Sequence, residues 1–248
     1  MSDPQVTCIE VGASTHRAQR DVNEDHAAAA LLAGGAYVVV ADGVGGEAWG
    51  EVASAAAVTC ATHSLRSQLE LPGGKAAAPD CATVVRRAFE DAQRGLATLA
   101  ERRALAFGLK TTLIIALVRG NSLAVGHIGD GGLWTWRPGD ETPRALLQPM
   151  ANAAGELSAV LSPWVKHEPR IEVHPWSADG VILAASDGIS DPLPLSSIDI
   201  VVRELHASAS PVQQLLEQLL EACHAQSDAN GPIFMDNMAV AALRQGGA

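Results

Sequence analysis

Aromatic residues are scarce in this 248-residue chain, which has one tyrosine, three phenylalanines and five tryptophans, 4% of the whole. A protein that grips single strands by stacking bases on rings needs more such platforms. Positive charge is also scarce. Lys and Arg number 17 against 28 Asp and Glu, a formal net charge of −11. That is the wrong sign for an electrostatic partner of nucleic acid or of an anionic membrane surface. The four cysteines, Cys8, Cys60, Cys81 and Cys223, form no Cys-x-x-Cys pair, which argues against a thiolate metal site. Long hydrophobic runs are missing. The longest uncharged apolar stretch, from Ala27 to Ala41, is shorter than the roughly 20 residues of a membrane-spanning helix and is broken by Gly34 and Gly35. No basic, apolar leader follows Met1. Together these absences predict a cytoplasmic protein whose cysteines are reduced and packed as small apolar residues.

What is abundant is apolar. Hydrophobic residues make up 48% of the chain and charged residues only 18%, with a mean hydropathy of +0.12, which excludes global disorder. At 25.7 kDa and without a linker-like stretch, residues 1–248 read as one domain.

Strand patterns appear at 5–13 and 26–42, then an Ala-rich helix from 48 to about 70 with Val52, Ala56, Cys60 and His63 near one stripe. Leu71-Pro72-Gly73-Gly74 stops it. Asp80 is placed to cap a second helix whose apolar face is Val84, Val85, Ala88, Phe89, Ala92, Leu96 and Leu99. Strand patterns return at 111–119, 122–128 and 132–137, with Gly120-Asn121 as a hairpin turn. Residues 149–168 are irregular. Further strands are predicted at 170–175 and 180–186, a helix at 211–225 with Val212, Leu215, Leu216, Leu219, Leu220 and Cys223 inward, and a last strand at 237–244. Because strands and helices come in blocks, the fold class is α+β with mostly antiparallel sheets.

One pattern recurs. Val38-Val39-Val40-Ala41 runs into Asp42-Gly43, Val125-Gly126-His127-Ile128-Gly129 into Asp130-Gly131, and Ile182-Leu183-Ala184-Ala185-Ser186 into Asp187-Gly188. Asp236-Asn237 opens the last strand. A single Asp-Gly at a strand end is an ordinary turn. Four carboxylates at strand ends with no Arg or Lys beside them in sequence have to be hydrated, paired or bound to metal. Hard divalent cations take this kind of oxygen donor, and two of them make a site for phosphoryl chemistry. The segment Arg20-Asp21-Val22-Asn23-Glu24-Asp25 adds two more carboxylates and a guanidinium, the group that grips phosphate oxygens bidentately.

The ordered set Arg20-x-x-Asn23-Glu24-Asp25, Val40-Ala41-Asp42-Gly43-Val44-Gly45-Gly46, Thr111-Thr112, Gly129-Asp130-Gly131, Ser186-Asp187-Gly188 and Asp236-Asn237 resembles the bacterial form of the metal-dependent protein phosphatase 2C family. The likeness runs from about residue 5 to residue 244, and Asp42 to Gly46 followed by Gly50-Glu51-Val52-Ala53-Ser54 is its most specific part. The resemblance implies a four-layer α-β-β-α sandwich. It implies two Mn²⁺ or Mg²⁺ ions bridged by Asp42, one completed by Asp187 and Asp236 and the other by the carbonyl of Gly43. Glu24 would hold a metal-bound water, with Asp25 supporting that shell. Asp130 with Asp187 would offer a weaker third metal position, and Arg20 would bind the substrate phosphate. The implied catalytic set is thus Arg20, Asp42, Asp187 and Asp236. The implied reaction is in-line attack by a metal-bridging hydroxide on phosphoserine or phosphothreonine. The implied partners are a phosphoprotein substrate and an opposing kinase, with no nucleic acid and no membrane, the enzyme acting as a monomer.

Some positions depart from that pattern. Val44 stands where some members carry a histidine proposed as general acid, so a metal-bound water is the simplest replacement. Gly131 replaces a serine common in the third motif. The 149–168 region, where many bacterial members have a longer flap with an Asp, is short, and its only acids are Glu156 and Glu168. Two other readings stay open at this point: a phosphoprotein-binding module with little turnover, and a phosphohydrolase of small phosphate esters. Outside the motifs, His127 reads as a buried strand histidine bonded to backbone. Trp134 and Trp136 read as core or flap support on one strand face, and Asp191 as a helix cap before Pro192.

Overall fold

The computed structural model describes residues 7–44, 49–69, 80–105, 107–152, 157–230, 233 and 235–247. Ten strands and five helices are formed by these residues: β1 (Thr7–His16), β2 (Asp25–Leu32), β3 (Gly35–Asp42), α1 (Gly50–Leu69), α2 (Cys81–Arg103), β4 (Leu113–Arg119), β5 (Ser122–Ile128), β6 (Gly132–Trp136), β7 (Arg144–Ala145), β8 (Arg170–Pro175), β9 (Val181–Ala185), α3 (Asp187–Ser190), α4 (Leu195–Ala207), α5 (Val212–Asn230) and β10 (Met238–Gly247). The strands make two five-stranded sheets, ordered β1-β10-β9-β6-β7 and β2-β3-β4-β5-β8. Their ladders are antiparallel.

The strand period of two decides the layers. Along β3, Val38 and Val40 point between the sheets, where they meet Ile114, Ile182, Ala184, Ala239 and Leu243. Tyr37 and Val39 point the other way, into a layer with Phe89 and Leu96 of α2 and Leu65 of α1. On the second sheet, Leu133 faces inward while Trp134 and Trp136 pack beneath α4 and α5 with Ile198, Val202 and Leu216. Central strands buried on both faces explain why their sequences are unbroken apolar runs. The result is the expected α-β-β-α sandwich, and the two tryptophans belong to its core.

Several local expectations are corrected. The face that α1 buries is Ala53, Ser54, Ala57, Val58, Ala61, Ser64 and Leu65, one position round from the predicted stripe. Alanine on nearly every side of this helix leaves little periodic contrast to read. Helix α4 is an addition to the predicted elements. Its β-branched residues Ile198, Ile200, Val201 and Val202 have poor helix propensity, and its N-cap, Pro194, makes no side-chain cap bond. Tertiary burial of Ile198, Val202 and Leu205 overrides both. Asp191 is a helix cap as expected, the C-cap of the short helix α3. Cys8 is exposed rather than packed inside, and all four thiols are free.

Candidate functional site

The carboxylates converge where strands of both sheets end. Asp25 and Asp42 are the last register pair of the β2–β3 ladder, directly opposite each other. Three bonds hold the backbone of Asp42. The Thr112 hydroxyl accepts from its N–H at 3.0 Å, while the Thr111 hydroxyl at 2.7 Å and the Thr112 N–H at 2.8 Å donate to its carbonyl. The Thr111-Thr112 motif thereby pins the end of β3. Gly43 then lets the first turn of α1 approach, since a Cβ there would collide with the Gly50 carbonyl. A Cβ on Gly50 would in turn collide with the Glu24 carboxylate. The Ser54 hydroxyl donates to the Glu24 carbonyl at 2.5 Å, fixing the same contact from inside α1.

The other sheet supplies the rest. The Ser186 hydroxyl, at the end of β9, donates to Asp25 Oδ2 at 2.6 Å and accepts from the Ala239 N–H at 2.9 Å. One buried serine thus ties the two sheets together behind the carboxylates. Asp130 sits between Gly129 and Gly131, whose φ values of 102° and 82° favour residues without a Cβ. Asn237 is 3% exposed. Its Oδ1 accepts from the Glu24 N–H at 2.8 Å, and its Nδ2 donates to the carbonyls of Arg17 at 2.9 Å and Val22 at 3.0 Å. It therefore anchors the loop that carries Arg20 and Glu24.

Crowding shows in the electrostatics. Burial, then the charges of Asp25 and Asp187, hold the Asp42 carboxyl well above the usual carboxylate range. Asp25 is raised by burial and by Asp187. Burial and Asp187 push Asp130 up to about 6. Glu24 is raised by burial and by Glu51. Asp191, whose expected part was that of a cap alone, is raised by burial and by Asp187, so it belongs to this field of negative charge. A four-residue helix has no readable periodicity, so only Asp191's spacing from Asp187 could have hinted at it.

Asp236 has a cationic partner, since Arg20 donates to its Oδ2 at 2.6 Å. No Arg or Lys stands beside Asp236 in sequence, and the fold brings one to it. The two are 216 positions apart, so no local pattern could reveal the pair. Among the described residues no group of three or more His, Cys, Asp or Glu is arranged as a preformed metal cage. Ions that keep several waters need only one or two protein carboxylates each. The donor chemistry fits such ions. Asp25 Oδ1 and Asp187 Oδ1 are buried without any hydrogen-bond partner, and a buried carboxylate oxygen with nothing to bind is costly unless a cation supplies the missing charge.

His127 is buried, with Nε2 3.0 Å from the Gln148 carbonyl, a structural role. The described part of 149–168 contains no named helix or strand. It is stitched to the body by Met150 N–H to Gly129 O at 2.9 Å and Leu161 N–H to Thr111 O at 2.8 Å. Glu168 pairs with Lys166 on the surface. Gly45, Gly46 and Glu156 lie outside the described residues.

The sequence profile of protein phosphatase 2C matches residues 11–229. A curated relative, the serine/threonine protein phosphatase PstP of Mycobacterium tuberculosis, is 29% identical over 187 residues, covering 69% of this chain and 34% of the relative. The chain thus spans about a third of the length of the curated relatives it matches. Among solved structures, the catalytic domain of PstP in complex with two manganese ions superposes with a TM-score of 0.78 at 24% identity, covering 97% of this chain and 100% of that one. A serine/threonine phosphatase of S. agalactiae gives 0.74 at 18% identity, covering 96% and 99%. PppA, a regulatory component of T6SS in Pseudomonas aeruginosa, gives 0.70 at 20%, covering 96% and 97%. At these identities the structures establish a shared fold.

Proposed function

The chain belongs to the protein phosphatase 2C family, and from that premise we propose that it hydrolyses phosphoserine and phosphothreonine in proteins with two divalent cations. The observation that carries this reading is the convergence of Asp25, Asp42, Asp130 and Asp187, where burial and the charge of Asp187 raise the proton affinity of the other three. Asp42 with the Gly43 carbonyl, and Asp187 with Asp236, would hold the two ions, Mn²⁺ or Mg²⁺. Asp130 would hold a weaker third. Bound there, the ions would supply a water acidic enough to ionise near neutrality and positive charge for the phosphoryl oxygens. Glu24 would orient that water, and Asp25, held by Ser186, would fix the shell around it. Arg20 is exposed and already beside Asp236, so a phosphate dianion would compete with that carboxylate for its guanidinium. Positioning and electrostatics of this sort suit a loose phosphoryl transition state. Val44 has no proton to give a leaving alkoxide, which would take one from water.

All the proposed ligands lie on one copy, which supports action as a monomer and as one catalytic domain. The four free thiols support a reducing, cytoplasmic setting. Among the described residues no helix is long and apolar enough to cross a membrane. A phosphoprotein substrate implies a serine/threonine kinase that acts against this enzyme in signalling.

The test is hydrolysis of p-nitrophenyl phosphate and a phosphothreonine peptide, with Mn²⁺ and with chelator, by wild type and Asp42→Ala. The expected outcome is Mn²⁺-dependent release that Asp42→Ala lowers by at least ~100-fold, since both ions lose a shared ligand. Turnover indifferent to chelator would overturn the mechanism. Binding of metal and phosphopeptide without turnover would favour a binding module. A large kcat/KM preference for the small ester would favour a small-molecule phosphohydrolase.

A further inference from the structure

Beside the carboxylate cluster lies a groove that the chemistry above does not use. It follows the outer seam between α1 and α2 and has a volume of about 720 Å³. Gly95 of α2 packs against Cys60 of α1. From that contact α2 runs on to Arg103 while α1 runs back to Glu51, so the end of one helix meets the start of the other. Asn23 and Glu51 line the groove at that end, and Asn23 directly precedes Glu24. The groove therefore opens onto the proposed metal site. Its floor is made of small or apolar side chains, among them Val52, Ala56 and Leu99. These include part of the predicted core stripe of α1, which the fold leaves at the seam.

Arg102 and Arg103 line the same end and are exposed. Neither makes an ion pair or hydrogen bond among the described residues, whereas Arg20, Arg94, Arg137, Arg203 and Arg244 all pair with carboxylates. Basic residues in a last turn do complement the helix dipole. That explains their place on α2 but not the apolar seam that continues from them. Among the described residues that line the groove, opposing charge comes from Glu51, and the titratable side chains besides it and the two arginines are His26 and Cys60. From Glu51 to Cys60 the groove is roughly 13 Å long at 1.5 Å per helical residue, room for about four residues of extended chain.

We infer that this groove binds an acidic stretch of the phosphoprotein substrate, within about four residues of the phosphorylated side chain, and that Arg102 and Arg103 read its carboxylates. This rests on the phosphatase reading above and names the substrate class. The overall charge of −11 does not oppose it, because at physiological salt a charge is screened beyond ~8 Å. Two local guanidiniums then decide which flanking sequence is favoured.

The test is fluorescence anisotropy with labelled peptides that carry a non-hydrolysable phosphonate mimic of phosphothreonine and whose four flanking residues are all Glu or all Gln, on the Mn²⁺-loaded protein. Exposed charge pairs of this kind change affinity by a few fold each, so wild type should bind the Glu peptide roughly three- to tenfold more tightly than the Gln peptide. The preference should fall with added salt. Arg102→Ala with Arg103→Ala should abolish it, and Arg102→Lys with Arg103→Lys should keep most of it. Equal affinities in wild type, or a preference that survives the alanine pair, would overturn the inference. The wild-type comparison and its salt dependence decide the matter even if the alanine pair folds poorly. Hydrolysis of p-nitrophenyl phosphate separates the two readings. Preferential binding of the Glu peptide by a protein that hydrolyses nothing keeps the groove and discards the phosphatase, whereas Mn²⁺-dependent turnover without peptide preference does the reverse.

Discussion

Replacing Asn237 with alanine tests how the site is held without touching any proposed metal ligand. Its side chain makes three hydrogen bonds, to the Glu24 N–H and to the carbonyls of Arg17 and Val22. Each such bond contributes roughly 0.5–1.5 kcal/mol net, so their combined loss costs about 3 kcal/mol. In a chain of this length 1 kcal/mol moves Tm by about 2–4 °C, which gives a fall of about 6–12 °C if the loop unfolds with the rest. If the loop opens by itself, the same free energy appears instead as faster amide exchange at Glu24, which loses its acceptor. Arg20 and Glu24 lie inside that loop, and a displacement of about 1 Å at a catalytic group can lower the rate by 10²-fold. The measurements are thermal unfolding by circular dichroism, amide exchange, and kcat/KM on p-nitrophenyl phosphate. Asn237→Asp keeps an acceptor for Glu24 but loses both donors, and should fall between wild type and alanine. An unchanged Tm together with unchanged exchange at Glu24 would refute the reasoning.

Two further predictions follow from the crowded carboxylates. Asp42→Asn removes one repelling charge, so the metal-free variant should melt about 2–4 °C higher than wild type, the effect of about 1 kcal/mol. Wild type should gain about 2.7 kcal/mol of stability in Mn²⁺ at a hundredfold excess over Kd, and the variant should lose most of that gain, as thermal melts with and without Mn²⁺ will show. The pH dependence has a definite sign. Asp130 is raised from 3.8 to about 6, and Asp25 and Asp42 are also raised. The folded state thus holds protons that the unfolded chain has already released, and metal-free stability should fall as pH rises from about 4 through 6. Urea unfolding in chelator across that window checks this, and Asp130→Asn should make the slope shallower; a slope of opposite sign in wild type would contradict the crowding.

How much of the molecule is legible in the sequence depends on distance along the chain. The Asp-Gly ends at Asp42, Asp130 and Asp187 can be read because an apolar run and a glycine sit side by side. The amphipathic face of α5 can be read because its period is strong. The facing of Asp25 with Asp42 cannot, because it arises from the register of the β2–β3 ladder and from Asp42's position at its last rung. Nor can the Arg20–Asp236 pair or the reach of Asn237 back to Arg17, which join opposite ends of the chain. Helix α4 is hidden by its own composition. The face of α1 lies one position from where its pattern points, for lack of contrast, and that shift is what leaves Val52, Ala56 and Cys60 at the groove.

The arrangement of the site also explains why so much of the surrounding sequence is small or apolar. Like charges at this spacing repel, and they stay together only because the chain ends they ride on cannot separate. The ends of β3 and β9 are gripped by Thr111, Thr112 and Ser186 through bonds that are buried or half-buried. Behind them the two sheets interlock through Val38, Val40, Ala184 and Ala239, side chains short enough for the sheets to close on each other. A longer side chain at Ala184 or Ala239 would push the sheets apart and relax the repulsion along with the geometry. The packing between the sheets therefore maintains the carboxylate cluster, and a cation that enters it binds charge the fold has already concentrated.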